Sequence, residues 1–173
     1  MHARVPLVIH PKLAASLAPA TQTLSQEIVV CCCIKKGTCT VCARFDKLAY
    51  VAGETANVRC DIDNQSTSNL KTRVILRRYL KLKSGSGRGK DLTEDIVQQS
   101  YDPVPGKTNS ADRPMPLKLD GPKCKPSTTG SMVSCNYEYL VECAVSMGKD
   151  LNLKMSVTAE RNTERKDGRQ SRG

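Results

Sequence analysis

The sequence predicts an all-β chain folded as an antiparallel sandwich. Three observations carry that expectation. Apolar and polar residues alternate over four to seven positions in several separate stretches. Clusters of Gly, Pro, Asn and Ser divide those stretches. No long stretch shows the 3.6-residue period of an amphipathic helix.

Taken in order, residues 5–10 and 27–34 are mostly apolar stretches, the second holding the unbroken apolar run 28–34, and both are expected strands. In 38–46, Cys39, Val41, Ala43 and Phe45 share one parity, and Thr40, Cys42, Arg44 and Asp46 the other. Residues 52–54 (AGE) mark a turn. Ala56, Val58, Cys60 and Ile62 then alternate with Asn57, Arg59, Asp61 and Asp63. Residues 64–69 form a polar turn, 71–83 and 91–100 are strands, and the Gly/Ser segment 84–89 is a hairpin tip. Six of the nine prolines fall in 102–131, where Asp120-Gly121-Pro122 reads as a turn. Val133, Cys135, Tyr137, Tyr139, Val141, Cys143 and Val145 occupy seven consecutive alternate positions. Gly148 sits in a tight hairpin before Leu151, Leu153, Met155 and Val157. Period two of this length marks half-buried antiparallel strands. The tail from 160 has no apolar residue and is expected to be disordered.

The composition narrows the class. The chain has 173 residues, nine cysteines, five Tyr, one Phe, no Trp and a formal charge of +10. The core must therefore be built from aliphatic and cysteine side chains. No apolar run approaches the roughly 18–20 residues of a membrane-spanning helix. No secretory signal pattern opens the sequence, so a reduced, cytoplasmic protein is expected, and a disulfide framework is not. The CTVC motif at 39–42 has the form of half a zinc site, but no second pair follows to complete four ligands. In a strand, Cys39 and Cys42 point to opposite faces. The expected metal set is therefore none, and the cysteines are read as small core hydrophobes. The run Cys31, Cys32 and Cys33 is expected to be buried strand, with an acylated membrane-proximal site as the alternative.

The positive charge is local. Residues 71–90 hold eight Lys and Arg and no acid. Lys71, Arg73, Arg77, Lys81 and Lys83 share a strand face about 40 Å long at roughly 3.3 Å per residue. That stripe is the candidate anion- or partner-binding site. It suits phosphate-bearing ligands such as inositol phosphates or anionic lipid. The alternative is a solvated face balanced by acids on a neighbouring strand, such as Asp61 and Asp63. Nucleic acid is not expected, because single-strand binders stack bases on aromatics and only Tyr79 is at hand.

No catalytic constellation is visible. His2 and His10 are the only histidines, and neither falls in a recognisable triad. The segment 84–89 lacks the Lys-Ser/Thr ending of a phosphate loop. No enzyme activity, catalytic residue or cofactor is expected.

The order of these stretches resembles the C-terminal domain of arrestin-domain-containing proteins, the α-arrestins. Residues 39–54 (CTVCARFDKLAYVAGE) are similar to the opening of that domain, a strand followed by a charged pair and Tyr-x-x-Gly-Glu. Tyr50, Gly53 and Glu54 fill those places, with Gly53 expected to permit a turn and close approach. The stretch 58–66 resembles the next strand, which ends in Asn-x-Ser at Asn64 and Ser66. Residues 134–141 and 148–153 look like the penultimate and final strands. The stretch 5–10 with Leu17 and Pro19 is similar to the last strand of the preceding arrestin domain and its linker.

The resemblance covers roughly 5–158. It implies an immunoglobulin-like β-sandwich over 27–158, preceded by a remnant and linker at 1–26 and followed by a tail at 159–173. It also implies a non-catalytic adaptor for membrane receptors or transporters, recruited to plasma or endosomal membranes. Such adaptors bring in ubiquitin-ligase or endocytic machinery, here through parts outside this chain. No Pro-Pro-x-Tyr motif is present, and residues 116–120 match a clathrin-type box only in part. A basic inositol-phosphate-binding module is the alternative function.

Overall fold

The computed structural model describes residues 18–31, 33–119 and 124–160. Among the described residues it contains twelve strands and no helix. They are β1 (Ala20–Val30), β2 (Ile34–Phe45), β3 (Ala49–Val51), β4 (Thr55–Ala56), β5 (Val58–Asn64) and β6 (Leu70–Lys83). They continue as β7 (Gly89–Val104), β8 (Thr108–Pro114), β9 (Leu117–Lys118), β10 (Thr128–Thr129), β11 (Val133–Val145) and β12 (Leu151–Glu160).

Two sheets face each other. One has the order β1-β2-β5-β8; the other runs β3-β12-β11-β6-β7, with β10 added to β11. All pairings are antiparallel except the parallel pairing of β3 with β12. The alternation explains the packing. Cys39, Val41, Ala43 and Phe45 of β2 and Val58, Cys60 and Ile62 of β5 are buried. They meet Val74 and Leu76 of β6 and Tyr137, Tyr139, Val141 and Cys143 of β11 in one core. Each such aliphatic side chain stabilises the fold by about 1.5–3 kcal/mol on full burial.

Three of the six aromatics form one cluster. Phe45 stacks on Tyr139 at 5.7 Å, and Tyr50 meets the same ring edge-on at 5.6 Å. Gly53 adopts φ +92°, a conformation that only glycine takes without strain. No other atom crowds its Cβ direction, so this glycine serves the turn alone and not a close approach. Glu54 locks the same turn by accepting a hydrogen bond from the Val51 amide at 3.0 Å and pairing with Lys47.

Several sequence expectations are corrected. The stretch 27–34 is not one strand. β1 ends at Val30, Cys31 turns with φ +48°, and β2 begins at Ile34. Cys31 and Cys33 are exposed, not buried, because a hairpin apex has no opposing sheet. β1 begins at Ala20, inside the segment assigned to the linker, because residues 20–26 pair with β2. β12 continues to Glu160. β8 and β9 form within the proline-rich stretch, with the prolines at strand ends and between strands. Val133 is 45% exposed, since the start of β11 pairs with Leu82 beyond the cover of the second sheet. The expectations for 5–10, for the turn at 120–122 and for 161–173 lie outside the described residues.

Candidate partner-binding face

β6 is a central strand, flanked by β7 and β11, so its outward side chains lie between two neighbouring rows. The unbroken register with β11 keeps Lys71, Arg73, Ile75, Arg77, Tyr79, Lys81 and Lys83 on one parity. Opposite them stand Ala144, Glu142, Leu140, Glu138, Asn136 and Ser134, from Lys71 to Lys81. β7 supplies Ser100 opposite Arg73, Gln98 opposite Ile75, Asp95 opposite Arg77 and Asp91 opposite Lys81.

This environment divides the five candidate cations. Arg73 Nε donates to Glu142 Oε1 at 2.7 Å. Arg77 grips Asp95 with two parallel hydrogen bonds, the longer 3.0 Å. That hydrogen-bonded pair raises the Arg77 pKa and holds the Asp95 carboxyl below its ordinary value. Lys71, Lys81 and Lys83 are exposed and make no ion pair among the described residues. The stripe is therefore two paired arginines at its middle and three free lysines at its ends. Arg78, on the opposite parity, pairs with Glu94 at the border of the inner face.

The acids that balance the stripe come from β7 and β11, not from Asp61 and Asp63. Those two lie on β5 in the other sheet. Asp61 accepts from Arg44 Nη2 at 3.0 Å and from the Asp112 amide at 2.7 Å, and Asp112 in turn pairs with Arg44 and Arg59. These pairs were not legible because cross-strand partners depend on register, which the sequence leaves open. Nor was the burial of Ile75 and Leu140 on the outward parity, at 1% and 2% exposure.

Beside the stripe, β6, β11 and β12 frame an open hollow of about 430 Å³. Tyr79, Lys81, Asn136, Glu138, Ser156 and Thr158 contribute to its lining. The Tyr79 hydroxyl is pushed above its ordinary pKa by burial and by its hydrogen bond to Glu138. The hollow thus presents hydroxyl, amide, carboxylate and ammonium groups on a rigid sheet. It suits polar recognition of a peptide or headgroup.

On β2, Cys39 is buried and Cys42 lies toward the outer face, so the two do not converge. Among the described residues, no group of three or more His, Cys, Asp or Glu is placed to hold a metal. None of the described residues forms a helix long and apolar enough to cross a membrane.

No curated protein matches the chain in sequence comparison. The family model described as Arrestin (or S-antigen), C-terminal domain, matches residues 35–158. That span runs from the start of β2 to within two residues of the end of β12 and covers more than half of the chain. With the two-sheet antiparallel sandwich, this match shows that the chain belongs to the arrestin family, as a C-terminal arrestin domain.

Proposed function

We propose that the chain is a non-catalytic adaptor module that engages cytoplasmic segments of membrane receptors or transporters in trafficking and signalling. The family match over 35–158 carries the reading. The outer face of the larger sheet supports it. It offers a firm, polar surface with free lysines at its ends, suited to an extended peptide bearing acidic or phosphorylated side chains. In this reading ubiquitin-ligase or endocytic proteins join through other parts of the assembly.

Affinity capture with the full chain from detergent-solubilised membranes tests the proposal. Recovery of receptors or transporters is expected. It should fall at least fivefold for Lys81→Glu/Lys83→Glu. Recovery of no membrane protein would remove the function and leave the fold.

A second reading, a basic module for inositol phosphates or anionic lipid, is favoured by one observation. Lys81, Lys83, Arg88 and Lys90 cluster at the β6–β7 hairpin end without an ion pair among the described residues. Here Lys81→Glu/Lys83→Glu should abolish salt-sensitive binding to soluble inositol phosphate. Arg77→Glu should have a smaller effect, because Asp95 already occupies its guanidinium.

A further inference from the structure

The other end of the sandwich has a different chemistry. There the β1–β2 and β11–β12 hairpins turn side by side. The Cys31 amide donates to Met147 O at 3.0 Å, and Val30 forms a bridge with Gly148. The contact is close: a Cβ on Gly148 would lie 2.7 Å from Val29 O. The two apices are therefore one rigid tip.

That tip exposes what the rest of the fold hides. Cys31 and Cys33 are the only exposed thiols among the described residues; Cys39, Cys60, Cys124, Cys135 and Cys143 are buried. Met147 is 75% exposed and Ile34 is 49% exposed, beside the same thiols. Lysines flank them in the chain. Lys35 and Lys149 are exposed next to the apices. Lys36 is joined to the 64–69 loop, and through Ser66 to Lys107, by backbone hydrogen bonds of 2.9 Å. The nearby acids are engaged: Glu27 pairs with Lys35, and Asp150 accepts from the Val145 amide. Thiols, exposed thioether and aliphatic side chains, and flanking lysines are the combination that meets an anionic bilayer. Apolar groups enter the acyl boundary while ammonium groups stay at the headgroups.

We propose that Cys31 and Cys33 are S-acylation sites whose long-chain thioesters seat this end of the sandwich on an anionic membrane. The donor is a long-chain acyl-coenzyme A. The cysteine sulfur attacks the thioester carbonyl carbon, a new S–C bond forms, and the bond to the coenzyme A sulfur breaks. Coenzyme A leaves as its thiol, carrying the proton that the cysteine gives up. The exchange of one thioester for another requires no oxidant or reductant. Cys32 lies outside the described residues and is not part of the assignment.

A hairpin apex suits this chemistry. Its thiols can reach the active site of a membrane-bound acyltransferase without unfolding, which the buried strand cysteines cannot. One acyl chain alone anchors weakly, and a second chain or a basic patch makes anchoring stable. The tip has both: two thiols and the flanking lysines. The proposal is independent of cargo capture. A chain that carries the label yet recovers no receptor would refute the adaptor reading and leave acylation standing.

The test uses the full chain expressed in cells fed an alkyne-bearing fatty acid. The wild-type chain should carry a label that neutral hydroxylamine removes. Cys31→Ser/Cys33→Ser should lose at least tenfold of that label and leave the membrane fraction. Cys42→Ser should keep it. Mass-spectrometric localisation on the wild-type chain gives an arm independent of variant folding, in which acyl groups at Cys31 or Cys33 are expected. In a last arm, the acylated chain should release phosphatidylcholine–phosphatidylserine vesicles after hydroxylamine treatment. Absence of label, label only at other cysteines, or vesicle binding unchanged by hydroxylamine would overturn the proposal.

Discussion

Arg73 on β6 reaches across the sheet to Glu142 on β11, and their 2.7 Å hydrogen bond satisfies a carboxylate whose side chain is only 8% exposed. The pair is asymmetric, because Arg73 itself is 42% exposed. Truncating the arginine leaves a buried charge without its partner, whereas truncating the acid leaves a cation that water can solvate. Arg73→Ala should therefore cost more stability than Glu142→Ala. Leaving the buried acceptor unpaired costs about 1–3 kcal/mol. Urea unfolding of both single variants and the double variant measures the difference and the coupling. Equal losses would show that solvent already shields Glu142.

Asn64, fully buried at the end of β5, ties three segments together. Its Nδ2 donates to Ser68 O at 2.8 Å, to Pro105 O at 2.9 Å and to Val104 O at 3.3 Å. Its Oδ1 accepts from the Ser66 hydroxyl at 2.6 Å. Asn64→Ala should lower stability by at least about 2 kcal/mol, because buried carbonyls lose their donor. Asn64→Asp should be worse at neutral pH, since an anion would face those same carbonyls. Thermal unfolding that ranks the aspartate variant above the alanine variant would contradict this account.

The sequence carried the sandwich because period-two alternation is a local signal. Cys60 and Ile62, or Leu151 and Leu153, announce a buried face without reference to any partner. The resemblance of 39–54 to the arrestin opening likewise rested on adjacent residues. What failed was what depends on distant pairing. The run 28–34 is apolar throughout, so its composition does not reveal that Cys31 turns the chain into an exposed apex. The lysine and arginine stripe was visible, but the pairing of Arg73 with Glu142 and Arg77 with Asp95 required the registers of β6 with β11 and β7. Asn64 carries a local turn signal, and its links to 104 and 105 across forty residues lie beyond any local pattern.

Two exposed-side carboxylates should shape the acid limb of stability. Arg44 holds the Asp61 carboxyl below its ordinary pKa of 3.8 through their hydrogen bonds, and Arg77 does the same to Asp95. A folded-state pKa below the unfolded one means that the folded chain binds fewer protons. The stabilisation is then complete above the unfolded pKa near 4 and is lost as pH falls through the lower folded values. Stability should change little from these groups between pH 7 and 5 and should decline below about pH 4. Asp61→Asn/Asp95→Asn should flatten that decline, as read by urea midpoints across the range. A double variant with an undiminished acid slope would assign the effect to other carboxylates.

The aromatic cluster supplies a contrast between two tyrosines whose rings touch. Tyr50 donates its hydroxyl proton to Asp46, so its polar end is satisfied. Tyr139, at 0% exposure, sits between Phe45 and Tyr50, and its hydroxyl finds no hydrogen-bond partner among the described residues. Burial drives the Tyr139 pKa strongly upward. An unpaired buried hydroxyl carries a desolvation cost of about 1–3 kcal/mol, which a phenylalanine ring of the same shape avoids. Tyr139→Phe should accordingly raise the unfolding midpoint, by about 1 kcal/mol after packing adjustments. Tyr50→Phe should lower it by a similar amount, because Asp46 loses a donor while the ring contact with Tyr139 remains. Opposite signs from the same one-atom deletion, at rings 5.6 Å apart, would separate hydrogen bonding from ring packing in this core. Two losses would mean that the Tyr139 hydroxyl finds an acceptor in solution, and its deletion would then behave like that of Tyr50.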